Sequence, residues 1–87
     1  MANARKTKFE MAIVDKVASI RHERGLSQKQ IADILELTKG FIGQIESPNS
    51  PSIYSINHLN RLAYEFKCSV HDLIPSKPIV EKDWDLG

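Results

Sequence analysis

Residues 27–46 read SQKQIADILELTKGFIGQIE, and two short helical patterns lie in them with only a turn between. Ser27 opens the first, and Gln30 stands three residues on, the spacing at which a serine accepts a first-turn N–H while the glutamine reaches back. Ile31, Ile34 and Leu35 then fall on one face, with Ala32 small enough to admit a second helix. Glu36, Leu37 and Thr38 form the turn, and Thr38 is placed to cap a new helix whose inward stripe is Ile42 and Ile45.

Helices joined by so short a turn cannot run antiparallel at length. They must cross steeply, and each covers part of the other's apolar face. The outer face of the second, with Lys39, Gly40, Gly43 and Gln44, stays open. A helix about 10 to 12 Å across fits a major groove about 12 Å wide, so the pattern points to a helix-turn-helix that reads double-stranded DNA.

The run RHERGLSQKQIADIL followed by LTKGFIGQIE resembles the lambda repressor/Cro-like (Xre) helix-turn-helix family of bacterial and phage regulators, over about Val17 to Leu73. The resemblance implies an all-α, five-helix lambda repressor-like domain with the helix-turn-helix formed by helices 2 and 3, bound to an operator as a homodimer. Lys39 and Gln44 match positions that contact bases, a lysine suiting guanine and a glutamine adenine. Gly40 matches another such position without a side chain to offer. Gln28, with the N–H groups at the start of helix 2, matches a phosphate clamp. Arg21 and Glu46 match an ion pair tying helix 1 to the recognition helix. The end of the fold, Val70, Leu73 and Ile74, matches a region that often forms the two-fold contact. Two departures weaken the DNA side: Glu36 stands where the family has glycine, and the loop Ser47 to Tyr54 is longer than usual and lacks basic residues.

The remaining members of the expected DNA-facing set are read from position. Thr38 starts the recognition helix. Lys29 is a phosphate contact or a solvated lysine. Phe41 touches a thymine methyl or sugar, or joins the core. Gly43, costing roughly 1 kcal/mol of helix propensity, suggests close backbone approach to phosphate or to another helix. Asn49 offers a neutral donor.

With 87 residues, one small domain is expected, near the size at which helices must pack well or the chain must dimerise. Hydrophobic residues make up 41% and charged ones 26%, ordinary for a soluble protein. No apolar run approaches the roughly 18 residues of a membrane span, and no signal peptide is visible, so a cytoplasmic protein is expected. The single Cys68 reads as a core thiol. His22, His58 and His71 lack any metal-ligand spacing; no metal and no cofactor are expected. The net charge of +1 is uneven. Residues 1–8 carry three basic side chains and no acidic one, whereas residues 9–75 carry seven basic and eight acidic.

Taken in order, residues 1–8 read as a flexible basic arm, either a solubilising tail or a strand along the DNA backbone or minor groove. Residues 9–75 form the domain. Phe9, Ile13, Val17 and Ile20 set a first helix that Gly25 ends. A fourth helix, capped by Ser55 or Asn57, buries Ile56, Leu59, Leu62, Ala63 and Phe66. Ser69 caps a short fifth, Val70 to Ile74, closed by Pro75. Tyr54 either donates to phosphate or packs on the core. Residues 76–87 form a tail that mixes Ile79, Val80 and Trp84 with acids; it is disordered, folds back, or docks a protein partner.

Two functions follow. The first is a sequence-specific DNA-binding transcriptional regulator, a repressor, without catalysis. The alternative is a protein-interaction or antitoxin-type module that keeps the helix-turn-helix fold. No catalytic arrangement of His, Cys, Ser and acid recurs at usable spacing, and no phosphate-binding glycine loop is present.

Overall fold

A computed structural model describes residues 5–84. Four α-helices follow one another: α1 (Lys8–Glu23), α2 (Gln28–Leu35), α3 (Lys39–Glu46) and α4 (Ile56–Phe66), then a single 3-10 turn, Val70–Leu73. The expected fifth α-helix is therefore corrected to that turn. Its Ser69–Asp72 capping box forms, but Ile74 precedes Pro75 and takes an extended backbone, φ −121° and ψ 136°, as the proline ring requires of the residue before it.

Each helix starts where a side-chain oxygen can accept an orphan N–H. Ser27 caps α2 with Gln30 returning the bond, Thr38 caps α3 through the Phe41 N–H, and Ser55 caps α4 with His58 as the reciprocal partner. α1 opens a residue earlier than Phe9, on a Thr7–Glu10 capping box. Lys8 thus belongs to the helix, and Met1–Ala4 of the expected arm lie outside the described residues.

The helices also stop for a shared reason. After α1, α2 and α4 comes one residue in the left-handed region: Gly25 (φ 66°), Glu36 (φ 58°) and Lys67 (φ 59°). Behind each, the next residue donates back into the last turn, Leu26 to Arg21, Leu37 to Ala32 and Cys68 to Ala63, at 2.8–3.0 Å. These are Schellman-type caps, each built on a left-handed residue, that satisfy terminal carbonyls. Only one uses glycine, so Glu36 and Lys67 hold conformations that a Cβ disfavours by roughly 1–2 kcal/mol.

The helices close on a core of Val14, Val17, Ile31, Ile42, Ile45, Leu62, Phe66 and Leu73, each fully buried. α2 packs on α3 and α4, while α1 packs on α3 and the 3-10 turn. Two expectations change. Ile56, placed inside by periodicity, is 84% exposed: Leu59, Leu62, Ala63 and Phe66 define the buried stripe, and Ile56, at the first helical position, stands off it. Tyr54, just outside α4, is buried in its stead. Leu73, expected in a dimer contact, is 1% exposed within its own chain's core, leaving Val70 and Ile74 partly buried beside it.

The tail returns to the start of α1. The Glu81 carboxylate accepts the Lys8 N–H at 2.8 Å, the position where a carboxylate complements a helix N-terminus. Phe9, Pro78, Ile79 and Trp84 line an apolar groove there. Residues 85–87 lie outside the description. No helix of the described residues is long and apolar enough to cross a membrane.

Candidate nucleic-acid interface

The second helix of the pair is set by what its inner side buries. Ile42 and Ile45 are fully buried, which turns Lys39, Gly40 and Gln44 outward, all exposed. Phe41 is half-buried and packs against the core. Thr38 spends its hydroxyl on the Phe41 N–H, 3.1 Å away, and its side chain is therefore fixed at the mouth of the helix.

Neither glycine of α3 is needed for helix packing. A Cβ at Gly40 would meet nothing within 4 Å, and one at Gly43 would meet only the Gln28 Oε1 at 3.8 Å, ordinary contact. Close approach to another helix is thus excluded as the reason for Gly43 among the described residues.

A polar knot ties α3 to α1 and α2. Arg21 donates through Nε and Nη2 to the two Glu46 carboxylate oxygens, both at 2.9 Å. Its Nη1 reaches the Leu26 carbonyl at 3.0 Å. Gln28 Nε2 donates to the same carboxylate at 2.9 Å. With Arg21 and Glu46 side chains only 10% and 13% exposed, a bidentate charge-assisted pair is held away from solvent, where losing either partner strands the other at a cost of about 3 kcal/mol. Gln28, expected at a phosphate, directs its amide nitrogen inward to this knot in the free chain. Tyr54 lies over the same charges. Burial, then the neighbouring Glu46 carboxylate, push its phenol well above the ordinary 10, with Arg21 opposing; its hydroxyl has no hydrogen-bond partner among the described residues.

The remaining expected residues lie around α3 rather than upon it. Lys29 is exposed and pairs with Asp33 one turn along α2, 2.8 Å away, a contact worth a few tenths of a kcal/mol. Asn49 is exposed in the loop after α3 and its N–H donates to Ser47 Oγ at 3.3 Å. Ser52 Oγ reaches the Gln44 side chain only at 3.5 Å, too long to hold it firmly. One participant was not foreseen: Lys6, whose ammonium enters the end of α3 and bonds the carbonyls of Gln44, Ser47 and Ser50. Main-chain acceptors have no sequence signature, so nothing in the pattern of residues pointed to it.

Among the described residues, no group of His, Cys, Asp and Glu is gathered to hold a metal ion. What the surface around α3 offers is a protruding helix with one lysine, one amide, a bare glycine backbone and a rigid base.

No protein-family model matches the chain, and no curated protein does. Solved structures share its fold. The clp gene regulator ClgR from C. glutamicum superposes with a TM-score of 0.62 at 18% identity, over 75% of this chain and 82% of that one. The DNA-binding domain of BldD gives 0.63 at 19% identity, over 80% and 99%. FeII HppE in complex with substrate gives 0.65 at 14% identity; this chain is matched over 90% of its length but spans only 44% of that protein. At such identities the likeness is one of fold: the chain has the all-helical architecture found in the DNA-binding domain of BldD and in the regulator ClgR.

Proposed function

We propose that this protein is a sequence-specific DNA-binding transcriptional regulator of the lambda repressor/Cro-like kind, without catalysis or cofactor, which works in the cytoplasm as a repressor. The observation that carries the reading is the outward face of α3. Lys39, Gly40 and Gln44 are exposed on a helix whose inner side is fully buried and whose last residue is clamped by Arg21 and Gln28. A helix so held can enter a major groove without rearranging. The fold shared with ClgR and with a DNA-binding domain agrees with this reading.

The operator would be a palindrome bound by a homodimer with recognition helices about 34 Å apart. Val70 and Ile74, partly buried, are the residues of the chain's end that remain available to the two-fold contact. Lys39 supplies a donor for guanine and Gln44 a paired donor and acceptor for adenine. Thr38, Gly40, Gly43 and Asn49 bring the backbone and small polar groups toward the phosphates, with Lys29 at the flank.

The test is fluorescence anisotropy with a duplex from upstream of the protein's own gene, repeated across salt. Affinity should fall linearly on a log–log plot. Gln44→Ala should cost about 1–3 kcal/mol at one base pair and relax discrimination there. A uniform loss on all sequences would make Gln44 a backbone contact. Absence of binding even at low salt would favour the second reading, a protein-interaction module. One feature supports that alternative: Val80 and Trp84 in the tail are about half exposed beside the apolar groove at Phe9.

A further inference from the structure

α3 ends unlike its neighbours. α1, α2 and α4 each close on a residue with positive φ, whereas Ser47 after α3 is extended, φ −82° and ψ 128°. Without that turn, the chain beyond α3 returns the Ser47 N–H to Gln44 O at 3.1 Å but does not close over the terminal carbonyls as the other three helix ends do, and these carbonyls carry the negative end of the helix dipole. The cation that meets them comes from far away in the sequence. Lys6 Nζ donates to Ser47 O, to Ser50 O at 2.6 Å and to Gln44 O at 3.3 Å.

We propose that Lys6 is the C-terminal cap of the recognition helix: a positioning residue whose ammonium, shared among the carbonyls of Gln44, Ser47 and Ser50, holds the end of α3 and the following loop in the register that DNA binding uses. The functional half of this rests on the DNA-binding reading above; the capping half does not.

The donor arithmetic supports the cap. An ammonium has three N–H donors, and three carbonyls accept them, so none is left for a phosphate. Lys6 therefore does not act as part of a basic arm that tracks DNA. The ammonium also sits where a positive charge complements the helix end, and partial burial draws its pKa below the usual lysine range against the pull of Glu10. The residue one turn earlier in α3 from Ser47 is Gly43, and Gln44 carries both a cradled carbonyl and an outward amide. Fixing the one aims the other.

The test uses the full chain and two readouts, with Lys6→Gln as the main variant, Lys6→Arg as the milder one and Lys8→Gln as a charge-matched comparator from the same stretch. Amide exchange in the free protein is followed at Ser47 and Ser50, whose N–H groups bond Gln44 O and Ser47 O. Anisotropy against the upstream duplex is followed across salt. Lys6→Gln should speed exchange at both amides roughly tenfold and weaken DNA binding with an unchanged salt slope. Lys6→Arg should fall between, because a planar guanidinium cannot meet three converging carbonyls as an ammonium does. Lys8→Gln should leave both amides protected. Unchanged exchange in Lys6→Gln overturns the cap, and if the salt slope also falls by about 0.9, Lys6 is a phosphate contact instead. Should the wild-type chain bind no duplex while Lys6→Gln still frees the two amides, the regulator reading fails and the cap stands.

Discussion

At the scale of single residues, the chain places side chains where backbone geometry would prefer none. Glu36 holds φ 58° and ψ 41° in the turn of the helix-turn-helix. Replacing it by glycine relieves the Cβ clash but frees the unfolded chain, and the balance should stabilise the protein by about 0.5–1 kcal/mol, read as a raised urea midpoint with an unchanged slope. It also removes a negative charge beside α3, so if the proposed function holds, non-specific DNA affinity should rise. Tyr54 makes a second test. Its buried hydroxyl lacks a protein partner among the described residues, so Tyr54→Phe should leave stability at pH 7 unchanged or higher by about 1 kcal/mol. The sign with pH follows from the raised phenol pKa: the folded state favours the protonated form, so this contribution is intact below pH 10 and is lost as pH climbs beyond it. Urea midpoints at pH 8 and 11 should therefore differ less in Tyr54→Phe than in the wild type.

Among the elements, α3 is the one whose composition opposes its conformation, with two glycines in eight residues. Because a Cβ at Gly43 would meet only the Gln28 amide oxygen at ordinary contact distance, Gly43→Ala should stabilise the free protein by up to about 1 kcal/mol. If Gly43 serves close approach to phosphate, the same variant should lose affinity for the duplex. A gain in melting temperature with undiminished binding would show that the glycine has no role at the DNA. The elements α2 and α3 were legible in the sequence because caps and helical periodicity are local: Ser27, Gln30 and Thr38 mark starts, and Ile31, Leu35, Ile42 and Ile45 mark the inside. Local rules failed where a distant contact decides. The spacing of Ile56 from Leu59 places it inside, yet it stands off the buried stripe of α4 at 84% exposure, and Val70–Leu73 has the cap of a helix but too few residues before Pro75 to become more than a 3-10 turn.

For the whole molecule, the basic stretch at the start of the chain was the part least open to sequence reading. Its charges suggested an arm for DNA or a solubilising tail; among the described residues Lys6 finds main-chain carbonyls 38 to 44 residues away, and Lys8 is the first residue of α1, with Glu81 bonded to its backbone N–H and its side chain exposed. Among the described residues, Lys6 and Glu81 are thereby fastened to the helical body. The pairing of Arg21 with Glu46 was accessible only through the resemblance of RHERGLSQ and FIGQIE to a known family, since neither residue's neighbours betray a partner 25 positions off. Gln28, which the resemblance placed at a phosphate, adds a contact the sequence did not announce: its amide nitrogen completes the knot on Glu46.

That knot has a thermodynamic consequence. Arg21 and Gln28 hold Glu46 in the free chain, so under the proposed function α3 would dock with little freedom left to lose, and the conformational cost would be met once, when the chain folds. Calorimetric titration with a duplex should then give a heat capacity change in line with the apolar area removed from water at the contact, and no further increment of the size that coupled folding contributes. An excess of that kind would reveal an α3 that orders only on arrival.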